Sequence, residues 1–232
     1  MGPRCSRGRQ GRSPAARAGA NLVGGQARRP DGALRWDVLA RYDSGTALVV
    51  VDLQNDFADR RGALAVPGGE EVVPVANREI ERAARAGALV VYTQDWHPPS
   101  TPHFAKDGGR WPVHCVQGSW GAELVPDLKI AGPVVRKGTA GEDGYSGFSV
   151  RDLRAGTRAE TELAALLCER AVMRVVVLGL ATDYCVKETA LDALRLGFST
   201  SVVMEGTRAV DLVEGDGPRA LEQLVQAGVK LI

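Results

Sequence analysis

Thr46-Ala-Leu-Val-Val-Val51 is a short apolar run that ends at Asp52. A continuous apolar run of this length is typical of a strand that is buried on both faces of a parallel sheet. Open α/β sheets bind their ligands outside the carboxyl ends of such strands. We therefore take Thr46–Val51 as a buried strand and Asp52 as a candidate site residue.

Further apolar runs alternate with helical patterns along the rest of the chain. The predicted strands are Thr46–Val51, Leu89–Thr93, Pro133–Lys137, Arg174–Gly179, Thr200–Met204 and Val229–Ile232. The predicted helices are Glu70–Ala86, a helix to about Cys168 that follows a capping box of Thr157 and Glu160, Asp183–Leu196, and a helix from Gly217 to about Ala227. The alternation predicts one doubly wound, Rossmann-like α/β domain with a mostly parallel sheet of about six strands and helices on both faces.

Charge is distributed unevenly over the 232 residues, although the net charge is only +1. Residues 1–41 hold nine arginines and two aspartates, which leaves 20 basic and 26 acidic residues in the rest. Such an arginine- and glycine-rich segment buries too little apolar surface to fold, so we expect residues 1–40 to be a disordered extension of a domain at 41–232. Its composition also matches an organellar transit peptide, an alternative that the residues leave open.

The composition excludes two classes of partner. The mildly acidic body offers no footprint for nucleic acid, and no apolar run approaches the ~20 residues that span a membrane. The four cysteines are scattered without paired spacing, which fits a reducing cytosol. We therefore expect a cytoplasmic protein, and the sequence leaves open whether it forms a homo-oligomer.

All three histidines of the chain, His97, His103 and His114, lie within one short stretch. Asp95 precedes the first histidine by two residues, and residues so spaced in a strand point to the same side. Imidazoles with a carboxylate suit Zn²⁺, Fe²⁺ or Mn²⁺. The stretch therefore predicts a metal site, the alternative being three unrelated loop histidines.

A candidate nucleophile, Cys185, follows the fourth predicted strand in the first turn of a helix. Unpaired N–H groups there, together with a nearby lysine, favour a thiolate. Lys137 ends another strand, and Asp52 can take the thiol proton as general base. A buried inert cysteine is the alternative for Cys185, and we read Cys115 as such a packing residue.

Five segments in this order resemble the nicotinamidase/pyrazinamidase family of the isochorismatase-like cysteine hydrolases. The segments are Val51-Asp-Leu-Gln-Asn-Asp-Phe57, Thr93-Gln-Asp-Trp-His-Pro-Pro-Ser-Thr-Pro-His-Phe104, Trp111-Pro-Val-His-Cys115, Arg136-Lys-Gly138 and Gly179-Leu-Ala-Thr-Asp-Tyr-Cys-Val-Lys-Glu-Thr-Ala190. The resemblance runs from about Ala47 to the C-terminus.

The resemblance implies hydrolysis of nicotinamide to nicotinate and ammonia, a step of NAD salvage, and the same site is expected to take pyrazinamide. Cys185 would form a thioester, with Asp52 moving the proton and Lys137 supporting both. The N–H groups of Ala181 and Cys185 would hold the oxyanion, after a cis Leu180–Ala181 bond.

The resemblance also implies a set of binding residues. Asp95, His97 and His114 would hold one divalent metal, most readily zinc, with iron and manganese as alternatives and His103 a ligand in only some relatives. The residues that match ring-contacting positions are Phe57, Trp111, Tyr145 and Tyr184. Two alternatives remain: a metal-free isochorismatase-like hydrolase of another small amide or vinyl ether, and a catalytically silent metal-binding domain.

Overall fold

The computed structural model describes residues 41–232, so the predicted extension at residues 1–40 lies outside the described residues. The strands are β1 (Thr46–Val51), β2 (Leu89–Asp95), β3 (Val134–Lys137), β4 (Ser149–Arg151), β5 (Arg158–Glu160), β6 (Arg174–Leu180), β7 (Ser199–Arg208) and β8 (Lys230–Leu231). The α-helices are α1 (Asn55–Ala58), α2 (Val72–Arg85), α3 (Leu163–Glu169), α4 (Lys187–Arg195) and α5 (Asp216–Ala227). Within this part of the chain, no helix is long and apolar enough to cross a membrane.

Six strands form one sheet in the order β3-β2-β1-β6-β7-β8. Every neighbouring pair is parallel, so the predicted doubly wound sheet is confirmed. All six carboxyl ends therefore lie along one edge of the sheet. At that edge, Asp95 of β2 is in register with Lys137 of β3, which brings an acid and a base side by side.

The apolar run that begins at Thr46 is buried on both faces, as the sequence predicts. Leu48 and Val50 belong to a core cluster that includes buried side chains of α2. Val49 and Val51 belong to a second cluster, on the other face, that includes side chains of α3, α4 and α5. Helices thus cover both faces of the sheet, and β1 is held rigidly between them.

The predicted capping box is wrong. Thr157 precedes β5 rather than a helix, and Glu160 is the last residue of that strand. β5 pairs antiparallel with β4 in a small separate hairpin that the sequence analysis did not foresee. The helix begins only at Leu163, whose N–H donates to the Thr161 hydroxyl at 3.2 Å. Pairing with a distant partner, β4, overrides the local capping signal here.

A buried carboxylate on α2 holds the first described residues against the domain. The side chain of Glu79 is 3% exposed. It accepts hydrogen bonds from the Tyr42 hydroxyl at 2.7 Å, from Arg41 at 3.1 Å and from Arg82 at 2.5 Å. Burial opposes ionisation of Glu79, but these donors outweigh it and lower its pKa.

We expect Glu79→Ala to lower the free energy of unfolding by about 2 kcal/mol, because the buried Tyr42 hydroxyl loses its acceptor. Glu81→Ala, on the same helix, removes only partly exposed ion pairs with Lys129 and Arg85 and should cost under about 1 kcal/mol. Denaturant unfolding of both variants measures the difference.

The pH dependence of stability in the wild type and in Glu79→Ala gives a second test. A lowered folded-state pKa means that the stabilisation by Glu79 is present above the unfolded value of 4.5 and is lost as the pH falls below it. The gap in stability between the wild type and Glu79→Ala should therefore narrow in acid. A gap that stays constant from pH 7 to pH 3 would contradict the role of the carboxylate.

Candidate active site

A buried ammonium lies at the carboxyl edge of the sheet. Lys137 is 1% exposed, and its Nζ lies 2.9 Å from Oδ2 of Asp52 and 3.6 Å from Sγ of Cys185. It also donates to Oδ1 of Asp95 and, at 3.2 Å, to the carbonyl of Gly144. The structure thus brings together the three predicted catalytic side chains.

Asp52 is fixed by the way the chain leaves β1. The residue is fully buried and has a φ of +47°, a conformation that L-residues other than glycine seldom adopt. Oδ1 accepts a hydrogen bond of 2.7 Å from the Thr93 hydroxyl, which leaves Oδ2 beside Lys137. Thr93 is a site residue that the sequence analysis missed, although it lies inside the quoted histidine segment.

In this cluster, burial and the neighbouring charges shift the pKa of each group in opposite directions. Burial disfavours the ammonium, but Asp52 and Asp95 outweigh it and raise the pKa of Lys137 well above its usual value. Burial also opposes ionisation of Asp95, yet Lys137 and the neighbouring histidines lower its pKa. For Asp52, burial prevails over the attraction of Lys137 and raises the pKa.

The lowered pKa predicted for Cys185 is wrong. Burial raises the pKa of this thiol well above its usual value, with Lys137 acting in the opposite direction. A thiol whose pKa is raised needs a nearby base, such as Asp52, to accept its proton when the sulfur acts as a nucleophile.

Polar contacts hold the turn that carries Cys185. The Leu180–Ala181 peptide bond is cis, as expected, and a five-residue π-helical turn, Thr182–Val186, precedes α4. The carboxylate of Asp183 accepts hydrogen bonds of 3.0 Å from the N–H groups of Val210 and Asp211. These contacts fix the turn so that Ala181 and Cys185 both line the pocket described below.

The three histidines come together, including His103, whose position was the least secure. One ring nitrogen from each lies within 4.8 Å of the others, and all three rings are buried. Nε2 of His97 is 3.7 Å, and Nε2 of His114 is 4.0 Å, from Oδ2 of Asp95. The three imidazoles therefore form one cluster, and Oδ2 of Asp95 lies beside two of them.

The hydrogen bonds around the histidines suit a metal ion. Nδ1 of His114 is 2.7 Å from the carbonyl of Pro112, so it carries the proton and Nε2 keeps its lone pair. Burial lowers the pKa of His114 to about 4, and a neutral imidazole is the form that binds metal. The two buried ring nitrogens of His97 have no hydrogen-bond partner, and a coordinated ion would satisfy one of them.

Gln54 and Asp143 are two further residues that the sequence analysis missed. The Gln54 side chain donates to the carbonyl of Asp95 at 2.7 Å and accepts from its N–H at 2.8 Å. Asp143 lies 2.9 Å from Nδ1 of His103. Gln54 lies in the segment that follows β1, and a polar residue directly after a buried strand could have indicated a site residue. No local pattern distinguishes Asp143 from the other acids of its loop.

A narrow pocket joins the thiol to the histidines. All four predicted ring-contacting residues line it. Trp111 and Tyr184 meet edge to face at 5.0 Å between ring centroids, and the Trp111 indole N–H donates to the Tyr145 hydroxyl at 3.0 Å. Phe57 lies 5.5 Å from the His114 ring. The apolar lining residues that were not predicted are Leu64, Val66, Leu180 and Val210.

A parallel α/β domain that buries a thiol, an ammonium and a carboxylate at its carboxyl edge has the arrangement of a cysteine hydrolase. The family model described as the isochorismatase domain matches residues 46–232. The chain belongs to the isochorismatase family.

Named relatives narrow the comparison. A nicotinamidase of Escherichia coli (strain K12) is 41% identical over 203 residues, which are 80% of this chain and 93% of that protein. The structure of the pyrazinamidase of Pyrococcus horikoshii in complex with zinc has a TM-score of 0.73 at 40% identity, over 81% of this chain and 98% of that one. PnC1 from L. infantum, in complex with nicotinate, has a TM-score of 0.74 at 37% identity, over 82% and 94%.

The His97 ring packs against a glycine, which gives a test of the site. A Cβ added at Gly138, where φ is +75°, would lie 2.6 Å from Nδ1 and Cε1 of His97. We expect Gly138→Ala to displace the ring and to weaken zinc binding at least about tenfold, measured by competition with a chromogenic chelator. Gly118→Ala is the matched control, because its φ is +74° and nothing lies within 4 Å. Equal zinc affinities in the two variants would contradict the assigned position of His97.

Proposed function

We propose that this protein is a nicotinamidase, which hydrolyses nicotinamide to nicotinate and ammonia through a thioester on Cys185. The observation that carries the proposal is the pocket itself. One aromatic-lined space is shared by the Cys185 thiol, Asp95 and two members of the histidine cluster, His103 and His114. Lys137 lies behind the thiol, at 3.6 Å. A flat heteroaromatic amide such as nicotinamide can present its carboxamide to the thiol and its ring nitrogen to a metal ion held by the histidines. The similarity to the E. coli nicotinamidase supports the assignment.

The aromatic side chains hold the pyridine ring. Phe57, Trp111 and Tyr184 line the pocket, and flat rings bury large apolar area at specific angles. The ligands of the metal would be Asp95, His97, His114 and His103. When bound, the metal supplies a Lewis-acid contact for the pyridine nitrogen and so fixes the orientation of the ring. The carboxamide carbon then faces the thiol.

The first half of the reaction acylates the enzyme. Asp52 takes the proton of the Cys185 thiol as Sγ forms a bond to the carboxamide carbon. The N–H groups of Ala181 and Cys185 donate to the oxygen, which gains the negative charge. Asp52 returns the proton to the amide nitrogen, the C–N bond breaks, and ammonia leaves a thioester on Cys185.

The second half releases the acid. Asp52, ionised after it has given up its proton, takes one from a water molecule, whose oxygen attacks the thioester carbon. The C–S bond breaks, and the sulfur leaves with a proton returned by Asp52, so the thiol is restored. The other proton of the water stays on the carboxyl group, and the released nicotinic acid loses it to solvent to become nicotinate. Lys137 stays charged throughout. It stabilises whichever of Asp52 and Cys185 carries the negative charge.

Zinc would suit these residues best, because imidazole nitrogens and carboxylate oxygens are among its usual ligands in proteins. The zinc in the similar P. horikoshii pyrazinamidase supports this choice. Iron and manganese fit the same ligand types.

The remaining expectations concern the setting of the enzyme. All the site residues named lie within residues 41–232, so we infer that this segment is the catalytic domain and that residues 1–40 are an appendage. Activity on pyrazinamide, a cytoplasmic location, a role in NAD salvage and any homo-oligomer are parts of the same proposal. Tyr184 lines the pocket, and its replacement is the natural probe of substrate breadth.

The nucleophile is tested by Cys185→Ala. We expect ammonia release from nicotinamide and from pyrazinamide to fall by at least about a thousandfold, since the thioester cannot form. Zinc content should stay at the wild-type level. Cys115→Ala removes the other free, buried thiol and should keep turnover within a few-fold. Sustained turnover by Cys185→Ala would rule out the thioester.

The metal ligands are tested by His97→Ala and His114→Ala. Each variant loses one of four ligands, so zinc content and ammonia release should fall together. Elemental analysis after dialysis, combined with the same activity assay, measures both. Full zinc content in both variants would overturn the ligand assignment, even if activity were lost.

A further inference from the structure

The loop between β3 and β4 touches every part of the proposed active site through three consecutive residues. Asp143 lies 2.9 Å from Nδ1 of His103. The carbonyl of Gly144 accepts from Lys137 at 3.2 Å. The hydroxyl of Tyr145 accepts from the Trp111 indole at 3.0 Å. The metal ligands, the catalytic ammonium and the ring pocket thus share one segment.

The position of His103 depends on the β3–β4 loop more than the positions of His97 and His114 do. His97 follows β2 directly, and its N–H donates to the carbonyl of Cys115 at 3.0 Å. His114 is oriented by the carbonyl of Pro112, two residues away. His103 lies in a connection without regular structure, and its Nδ1 faces Asp143, 40 residues further along the chain.

The Asp143 carboxylate faces Nδ1 of His103 in an ion-pair contact of 2.9 Å, although the angle does not make it a hydrogen bond. A carboxylate this close attracts a proton to Nδ1, which leaves the Nε2 lone pair for a metal ion. The other two histidines already present Nε2 toward Asp95. Without the carboxylate, the ring would be free to carry its proton on either nitrogen and to rotate.

Two further contacts keep Asp143 in place. Its N–H donates to the carbonyl of Arg151 at 2.8 Å, and its own carbonyl accepts from the N–H of Arg151 at 2.5 Å. The Thr101 hydroxyl donates to the carbonyl of Gly141 at 2.8 Å, which ties the histidine segment to the same loop. The carboxylate is therefore held by the β4–β5 hairpin and points at a ring that is itself tethered.

We propose that Asp143 is a positioning residue that makes His103 the fourth metal ligand. It fixes the proton on Nδ1 and holds the ring so that Nε2 joins the other two histidines. This inference rests on the metal site of the proposed function. It adds a residue that acts through His103 and touches neither substrate nor metal.

The test is a double-mutant cycle on zinc affinity, measured by chelator competition with the full chain. Asp143→Ala should weaken zinc binding by about 10- to 100-fold, the usual effect of losing such a partner. His103→Ala should weaken it as well. In the His103→Ala background, Asp143→Ala should have no further effect, because the residue acts only through that ring.

Glu142→Ala is the matched control. Its carboxylate is the neighbour of Asp143 in the same loop and accepts from the N–H of Ala140 at 2.9 Å. Zinc affinity in this variant should stay within about twofold of the wild type. Asp143→Ala binding zinc as tightly as the wild type would overturn the proposal. An equal loss from Asp143→Ala with and without His103 would overturn it too, since the loop alone would then be responsible.

The proposed function can fail separately. If the wild-type enzyme loaded with zinc released no ammonia from nicotinamide, the substrate assignment would be wrong. The zinc titrations would still decide whether Asp143 acts through His103.

Discussion

The burial of the Lys137 ammonium is the constraint on which the rest of the site depends. Removing an ammonium from water costs several kcal/mol unless opposite charges and hydrogen bonds replace the solvent. The fold supplies them from two neighbouring strands, with Asp52 after β1 and Asp95 in register at the end of β2. The charged form of each carboxylate is in turn favoured by Lys137, so the three groups stabilise one another's charges at this depth.

Asp95 joins the two halves of the site. One of its oxygens faces Lys137, and the other faces the Nε2 atoms of His97 and His114. A single carboxylate is therefore shared between the Lys137 ammonium and the proposed metal ligands. The hydrogen bonds of Gln54 to both backbone groups of Asp95 keep it at this junction.

Much of this arrangement could be predicted from the sequence, because its main parts are local. The apolar run at β1 and the polar residues directly after the strands are visible as patterns, and parallel strands must bring their ends to one edge. The hairpin of β4 and β5 was missed because it depends on pairing between two short strands, β5 being fully exposed. The thiol pKa was misjudged for a related reason. Residue types near Cys185 suggested a thiolate, but its complete burial, a tertiary property, prevails.

Some site residues are held by the core and others by loops, and this difference bears on substrate specificity. Asp52 directly follows β1, Lys137 ends β3, and Cys185 lies in the turn after β6. All three are buried, so their spacing is set by the core. His103 and Tyr145 stand on loops, and their positions depend on a few polar contacts such as those with Asp143 and Trp111. Loops accept insertions and substitutions more readily than strands do. The same thiol chemistry can thus be retained on this sheet while the loops that carry His103 and Tyr145 change which amide it receives.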